Sequence, residues 1–231
     1  MDFLVERPNS GPPVVHISLT EADTLTTFSD ALALARNAGP EASMWVHGTT
    51  PERREIIESL GYQSNRTLLK MSAPLPVASN AEPIETSAFT DADLEDFIAV
   101  NNRAFSWHPE QSGLTSSAVR ETMAESWFSA EGFRLHRIDG TLAGFCWTRI
   151  HETDPDVTDA PVGEIYVIAV DPAFHGQGLG KAMTMAGLSH IHSLGITTAI
   201  LYVESDNTAA VATYEKLGFS ICRTDTFWSQ R

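Results

Sequence analysis

One short stretch constrains the fold of this chain more than any other: residues 167–181, VIAVDPAFHGQGLGK. An apolar run of strand length ends at Asp171-Pro172, a loop with glycines at 176, 178 and 180 follows, and a helical pattern opens directly after it. A buried strand feeding a helix through a tight loop is a unit of a helix-covered sheet, so the chain is expected in the α/β class. The glycines also carry chemistry. Without Cβ atoms, several backbone N–H groups can converge on one anion, and the helix N-terminus adds partial positive charge. The stretch therefore reads as a cradle for a pyrophosphate. The dinucleotide fingerprint requires G-x-G-x-x-G, whereas the spacing here is G-x-G-x-G. The nucleoside-triphosphate loop requires Ser or Thr after its Lys, whereas Ala182 follows Lys181.

The rest of the chain alternates in the same manner. Residues 1–13 read as an irregular lead-in and 14–17 as a strand. Thr20 stands as a helix N-cap with Asp23 three residues on, and a helix runs to Gly39. Residues 44–47 and 67–71 read as strands, with a helix over 51–60 between them. Residues 74–83 hold three prolines among small polar residues and form the expected boundary. The expected organisation is a first domain over 1–76, a linker over 77–83 and a second domain over 84–231. In the second domain a strand begins at 84–86, and helices follow over about 90–104 and 116–128. Strands at 133–138 and 142–151 are joined by Asp139-Gly140, a hairpin signal. A strand at 163–170, a helix at 178–194, a strand at 197–203, a helix at 207–217 and a final strand at 219–228 complete it. The closing strand–helix units echo the first domain and suggest a weak internal duplication.

Composition excludes several classes. Hydrophobic residues make up 42% and charged residues 19%, a balance that buries a core and argues against disorder. The net charge of −15 repels phosphate backbones, so no nucleic-acid partner is expected. Two cysteines, Cys146 and Cys222, give no disulfide framework and read as small core residues. No basic-then-apolar leader opens the sequence, and no apolar run approaches the ~20 residues that span a bilayer. A cytoplasmic chain without membrane contact is expected. No metal-ligand spacing accompanies His108 or His151, which read as structural or solvent-facing, and no metal is expected.

The loop His175-Gly176-Gln177-Gly178-Leu179-Gly180 resembles the acetyl-CoA signature of the GNAT superfamily, with His175 where that family usually carries Arg or Gln. The strand before it and the run 202–219, YVESDNTAAVATYEKLGF, extend the likeness. The stretches 100–115, 144–151 (GFCWTRIH) and 201–225 narrow it: they are similar to the mycothiol synthase family of actinobacteria, whose loop H-P-E-Q followed by G-x-T is unusual among acetyltransferases. That resemblance implies an α/β GNAT (acyl-CoA N-acyltransferase) fold in tandem arrangement. The first copy would be truncated and degenerate, lacking its opening elements and binding no coenzyme A.

The resemblance also implies site residues. Backbone groups of Ile168, Ala169 and Val170 would meet the pantetheine arm, and a Val170 N–H would meet the thioester oxygen. His175, Gly176, Gln177, Gly178, Leu179, Gly180 and Lys181 would hold the pyrophosphate. Asn207, Thr208, Ala209, Ala210, Val211 and Ala212 would open a helix beside the cofactor. Glu164 is the candidate base and Tyr214 the candidate acid for the coenzyme A sulfur. Glu110, Arg149, Glu164 and Tyr202 would line the acceptor site. The implied partner is a small-molecule amine, the cysteinyl amine of a thiol pseudo-disaccharide, acetylated from acetyl-CoA by a monomer. The competing readings are acetyl transfer to another small amine or a protein N-terminus, and a non-catalytic coenzyme A-binding module.

Overall fold

The computed structural model of the 231-residue chain describes residues 2–6, 12–18, 24–39, 41–78, 82–107 and 112–230. In chain order the elements are β1 (Asp2–Glu6), β2 (Val14–Ser18), α1 (Leu25–Asn37), β3 (Ser43–His47), α2 (Pro51–Ser59) and β4 (Tyr62–Pro74). Next come β5 (Ser87–Ala88), α3 (Leu94–Ala104), α4 (Ser116–Met123), β6 (Phe133–Ile138), β7 (Thr141–His151) and β8 (Val162–Val170). The chain closes with α5 (Leu179–Ser193), β9 (Thr198–Glu204), α6 (Thr208–Lys216) and β10 (Ser220–Gln230). The N-cap expected at Thr20 lies outside the described residues.

These elements form two compact units. One comprises Met1–Met71, Tyr202–Ala212 and Ile221–Arg231; the other comprises Ser72–Leu201 and Thr213–Ser220. The division is not the consecutive one expected at residues 77–83. The reason is strand pairing: β10 lies antiparallel to β3, with Asp225 opposite His47 and Trp228 opposite Met44, which carries the end of the chain into the first unit. β4 also runs through Pro74, and the next strand is Ser87–Ala88 rather than 84–86.

In the first unit the strand order is β1-β2-β3-β10-β4. β2 and β3 are parallel, joined across α1. The lead-in expected to be irregular holds a strand, β1, paired antiparallel with β2 from Asp2 opposite Ser18 to Glu6 opposite Val14. Alternation explains it, since Phe3 and Val5 pack on a core of Val15, Ile17, Phe28, Leu32, Val46, Ile57 and Trp228. β3 and β10 are also tied by the buried Asp225. Its carboxylate takes the Nε–H of Arg223 at 2.8 Å and the N–H of Gly48 at 3.1 Å, and His47 Nδ1 lies 2.9 Å away. Burial alone would push this carboxyl up, but the His47 and Arg223 contacts outweigh it and hold it below the usual carboxylate range.

In the second unit the order is β9-β8-β7-β6-β5. β6 and β7 form the expected hairpin, with Asp139 at φ 48° and Gly140 at φ 80°. One face of this sheet carries an aromatic core built on Phe89, Phe97, Phe133, Phe145 and Trp147. Here α4 stops at Met123, short of the expected 128. Trp127 and Phe128 leave the helix and pack their rings 5.7 Å from Trp147. The other face carries α5, held close by two glycines. A Cβ at Gly187 would run into Cys146 Sγ and lie 2.8 Å from Ile165 Cδ1, and one at Gly163 would run into Ile191. Cys146 is buried there and its thiol is pushed up to about 12, as expected of an inert core cysteine; Cys222 is half-buried.

Candidate active site

The glycine loop sits between β8 and α5, at the carboxyl end of a central strand. Asp171 pins its start. Its carboxylate accepts from Ala173 N–H at 2.9 Å and from Arg103 Nε at 3.0 Å. Burial alone would raise this carboxyl, but those two donors outweigh it and hold it low. A single 3₁₀ turn, Pro172–Phe174, follows. His175 then turns its ring back, with Nε2 at 3.0 Å from the carbonyl oxygen of Val170. The ring fastens the loop to the end of β8 and leaves the loop backbone to face solvent.

Gly176 and Gly178 both sit at φ 78°, in the left-handed region where Cβ-bearing residues are strained, and Gly178 is the N-cap of α5. A Cβ on Gly176, Gly178 or Gly180 would meet nothing within 4 Å. Among the described residues, the N–H groups of Gly176, Gln177, Gly178, Leu179 and Gly180 donate to no protein acceptor. Ala182 N–H donates to the carbonyl of Gly178 at 3.3 Å. Open space lined by unpaired donors at a helix mouth fits a bound anion such as a pyrophosphate.

β8 supplies the second part. It pairs with β7 through Gly144–Val170, Cys146–Ile168 and Trp147–Val167, then shifts register so that Thr148 faces Ile165 and Tyr166 is the extra residue. Asp171 N–H donates to Ala143 O at 2.9 Å, which fixes the alternation. Ala169 is bonded toward β7, whereas Ile168 and Val170 turn their N–H and C=O groups the opposite way. On that side β8 pairs in parallel with β9 only over Gly163, Glu164 and Ile165. Past Ile165 the strands have no paired residues among those described, so the backbone of Ile168 and the N–H of Val170 are open on that side, the Val170 carbonyl lying against His175.

Beyond the bulge, Arg149 lies opposite Glu164 on the aromatic face. His151, on the same face of β7, places Nε2 2.7 Å from Glu164 Oε2. The Arg149 guanidinium lies 4.7 Å over the Trp127 ring, and Trp127 and Trp147 flank Tyr166 at 5.0 and 5.6 Å. Burial, and after it the charge of Glu164, push the Tyr166 phenol up against the opposing Arg149. Trp147 Nε1 and Arg149 Nε are buried without a hydrogen-bond partner among the described residues. A cavity of about 210 Å³ opens beside Trp147, lined by Phe97, Asn101, Leu114, Val119, Thr122, Trp147, Tyr166 and Val167.

Of the sequence-derived site residues, Ile168, Ala169, Val170, His175, Gly176, Gln177, Gly178, Leu179, Gly180, Lys181, Arg149, Glu164 and Tyr214 belong to the second unit. Tyr214 is buried in it; burial, and after it Cys146, push its phenol up, so the hydroxyl keeps its proton. Asn207, Thr208, Ala209, Ala210, Val211 and Ala212 belong to the first unit, where Asn207 Oδ1 accepts from Ala210 N–H at 3.2 Å at the start of α6. Tyr202 is also in the first unit, exposed, with Lys70 Nζ 5.9 Å from its ring centroid. Glu110 and His108 lie outside the described residues. Sequence reasoning missed the pairing of His151 with Glu164 and the roles of Trp127, Trp147 and Tyr166. Strand alternation gave the only available signal: Trp147, Arg149 and His151 fall on one face of β7.

The profile of the Acetyltransferase (GNAT) family matches residues 94–219, more than half of the chain. The chain belongs to the GNAT acetyltransferase family. Among curated proteins, this GNAT chain is similar to the mycothiol acetyltransferase of Mycolicibacterium gilvum, at 38% identity over 97% of this chain and 75% of that protein. It is also similar to the mycothiol acetyltransferase of Saccharomonospora viridis, at 44% identity over 81% of this chain and 64% of that protein. The chain thus spans about two-thirds to three-quarters of these relatives. Among solved structures, the GCN5-related N-acetyltransferase from Sphaerobacter thermophilus matches 98% of the chain with a TM-score of 0.70 at 15% identity, which shows the fold. GNAT acetyltransferases use acetyl-CoA as donor. No group of three or more His, Cys, Asp or Glu side chains that could hold a metal occurs among the described residues, and no described helix is long and apolar enough to cross a membrane.

Proposed function

We propose that the chain is an acetyl-CoA-dependent N-acetyltransferase acetylating the cysteinyl amine of 1D-myo-inositol 2-(L-cysteinylamino)-2-deoxy-glucopyranoside, to give mycothiol. The observation that carries the donor half is the run of unpaired N–H groups from Gly176 to Gly180 over open space. The acceptor half rests on similarity to the two mycothiol acetyltransferases, supported by the chemistry of the aromatic face. Trp147 Nε1 and Arg149 Nε are buried donors that cost about 1–3 kcal/mol each when unpaired, and the hydroxyls of a sugar–inositol acceptor would satisfy them.

When bound, acetyl-CoA supplies the acetyl group as a reactive thioester. Within the second unit, the loop from His175 to Lys181 holds the diphosphate of the cofactor, and the outward-facing backbone groups of Ile168 and Val170 align its arm. The Val170 N–H stands as donor to the carbonyl oxygen as it gains negative charge. Glu164, half of whose carboxylate is engaged by His151, takes a proton from the acceptor ammonium, directly or through water. Tyr214, whose burial keeps it protonated, holds the proton that the leaving sulfur needs. Arg149 and Glu164 line the acceptor side within the second unit. The first unit, in which β2–α1–β3 repeats the parallel β8–α5–β9 arrangement, is read as a degenerate copy of the same fold. Its sequence after β2 has no glycine before α1, so it binds no coenzyme A.

The test is an acetyl-transfer assay with cysteinyl-glucosaminyl-inositol against a panel of simple amines and protein N-termini. Turnover concentrated on the thiol pseudo-disaccharide is expected. Faster turnover of another amine would replace the acceptor, and saturable acetyl-CoA binding without turnover of any amine would make the chain a binding module.

A further inference from the structure

Acetyl transfer leaves one proton over in each turnover. The acceptor arrives as an ammonium. It loses a first proton, its nitrogen lone pair forms the C–N bond, and the C–S electron pair leaves on sulfur. The second nitrogen proton ends on that sulfur as the coenzyme A thiol. The first proton has no product to leave with and must reach bulk solvent before the base can act again. Glu164 is poorly placed to release it, because its side chain is only 9% exposed. The side chain that touches it, His151, is 27% exposed and lies at the end of β7. With the carboxylate ionised, His151 Nε2–H donates across 2.7 Å to Oε2, which leaves Oε1 for the acceptor.

We propose that Glu164 and His151 act as one proton-accepting unit, in which Glu164 takes the ammonium proton and His151 passes it to solvent; this rests on the acetyl-transfer reading above. The register supports a built pair. Glu164 lies opposite Arg149, and His151 lies opposite Val162, so the two side chains meet on the diagonal of one sheet face. Among the described residues, the charged and titratable groups facing Glu164 include Arg149, opposite it on β7, and Tyr166 on β8, and the loop after β7 carries Glu152, Asp154, Asp156 and Asp159 in sequence. Asp154 is turned into its own loop, where it accepts from Asp156 N–H at 3.1 Å. On α5, His190 belongs to the opposite face, beside Gly132. His151 is thus a positioning and relay residue, touching the base and not the reacting atoms.

The experiment compares wild type, His151→Asn and His151→Ala in acetyl transfer from acetyl-CoA, first to cysteinyl-glucosaminyl-inositol and then to the amine panel, as a function of pH and of added imidazole. His151→Asn keeps a donor for Glu164 but cannot carry a proton. Both variants are expected to melt near wild type, to bind acetyl-CoA within about twofold, and to lose roughly 10- to 100-fold in kcat with little change in KM, a loss at or below the lower end of the range for groups that transfer the proton directly, as suits a relay. Their acid limb changes shape, and imidazole restores the rate of His151→Ala several-fold while leaving wild type unaffected. A His151→Asn enzyme with wild-type kcat and wild-type pH profile overturns the relay while the acetyl-transfer reading stands. Loss in both variants without rescue by imidazole assigns His151 a structural role and also overturns it. If wild type acetylates none of the amines, the acetyl-transfer reading falls and the relay falls with it.

Discussion

A single methyl group at position 178 separates what the loop does for folding from what it does for binding. Gly178 caps α5 at φ 78°, and an added Cβ meets no protein atom within 4 Å. Gly178→Ala therefore costs only the left-handed strain, about 1–2 kcal/mol. For a chain of this size that lowers Tm by roughly 2–8 °C. If the open space at this loop holds the diphosphate, the same Cβ intrudes on the bound anion. Losing one or two charge-assisted bonds to a phosphate, at about 1.5–3 kcal/mol each, weakens acetyl-CoA by about 10-fold to about 10⁴-fold. Gly195 supplies the control, just past the other end of α5. Its φ is 81° and its Cβ position is likewise empty, so Gly195→Ala carries the same strain away from the loop. Differential scanning calorimetry should show similar Tm losses in the two variants. Isothermal titration with acetyl-CoA should show a large loss for Gly178→Ala and none for Gly195→Ala. Equal affinities in the two variants would refute the assignment of the loop as the anion site.

Glu164→Gln should lower turnover by about 10²-fold or more while leaving acetyl-CoA affinity intact, measured by steady-state kinetics and calorimetry; unchanged turnover removes Glu164 as base. Tyr214→Phe should slow transfer modestly without altering acetyl-CoA affinity, and an unaltered rate removes it as the acid. Gly187→Ala should destabilise by about 1–2 kcal/mol, the collision with Cys146 and Ile165 exceeding the gain in helix propensity. Adding Cys146→Ala should recover most of that loss in urea melts, because it removes the sulfur in the way. The Asp225 carboxyl is held low in the fold, so its stabilisation is complete above the unfolded carboxylate value near about 3.9 and is lost as pH falls through the lower folded value. Asp225→Asn should therefore flatten the decline of the urea midpoint between about pH 5 and pH 3, and an unchanged slope would contradict the pairing.

The parts of the fold legible in the sequence were those written in adjacent residues. Asp139-Gly140 announces its hairpin because few residues accept positive φ, and the loop from Gly176 to Gly180 announces a strand-to-helix turn for the same reason. What escaped was set by pairing across long separations. Nothing near Asp225 says that it will lie opposite His47, so the return of β10 to the first unit was not readable. β1 is too short to outweigh the three prolines of residues 1–13. His151 was read as structural or solvent-facing because its partner is 13 residues away and meets it only through one particular register. The candidate residues themselves were legible as types. Their geometry, including the open edges of Ile168 and Val170, depended on where β8 and β9 part, which no local pattern encodes.

Backbone amide resonances of the loop, followed by heteronuclear NMR while acetyl-CoA is added, address the central claim most directly. The account predicts that the N–H signals of Gly176, Gln177, Gly178, Leu179 and Gly180 move together and saturate, and that acetylated pantetheine, which lacks the diphosphate, leaves them in place. Saturable acetyl-CoA binding with those five signals unmoved would contradict it.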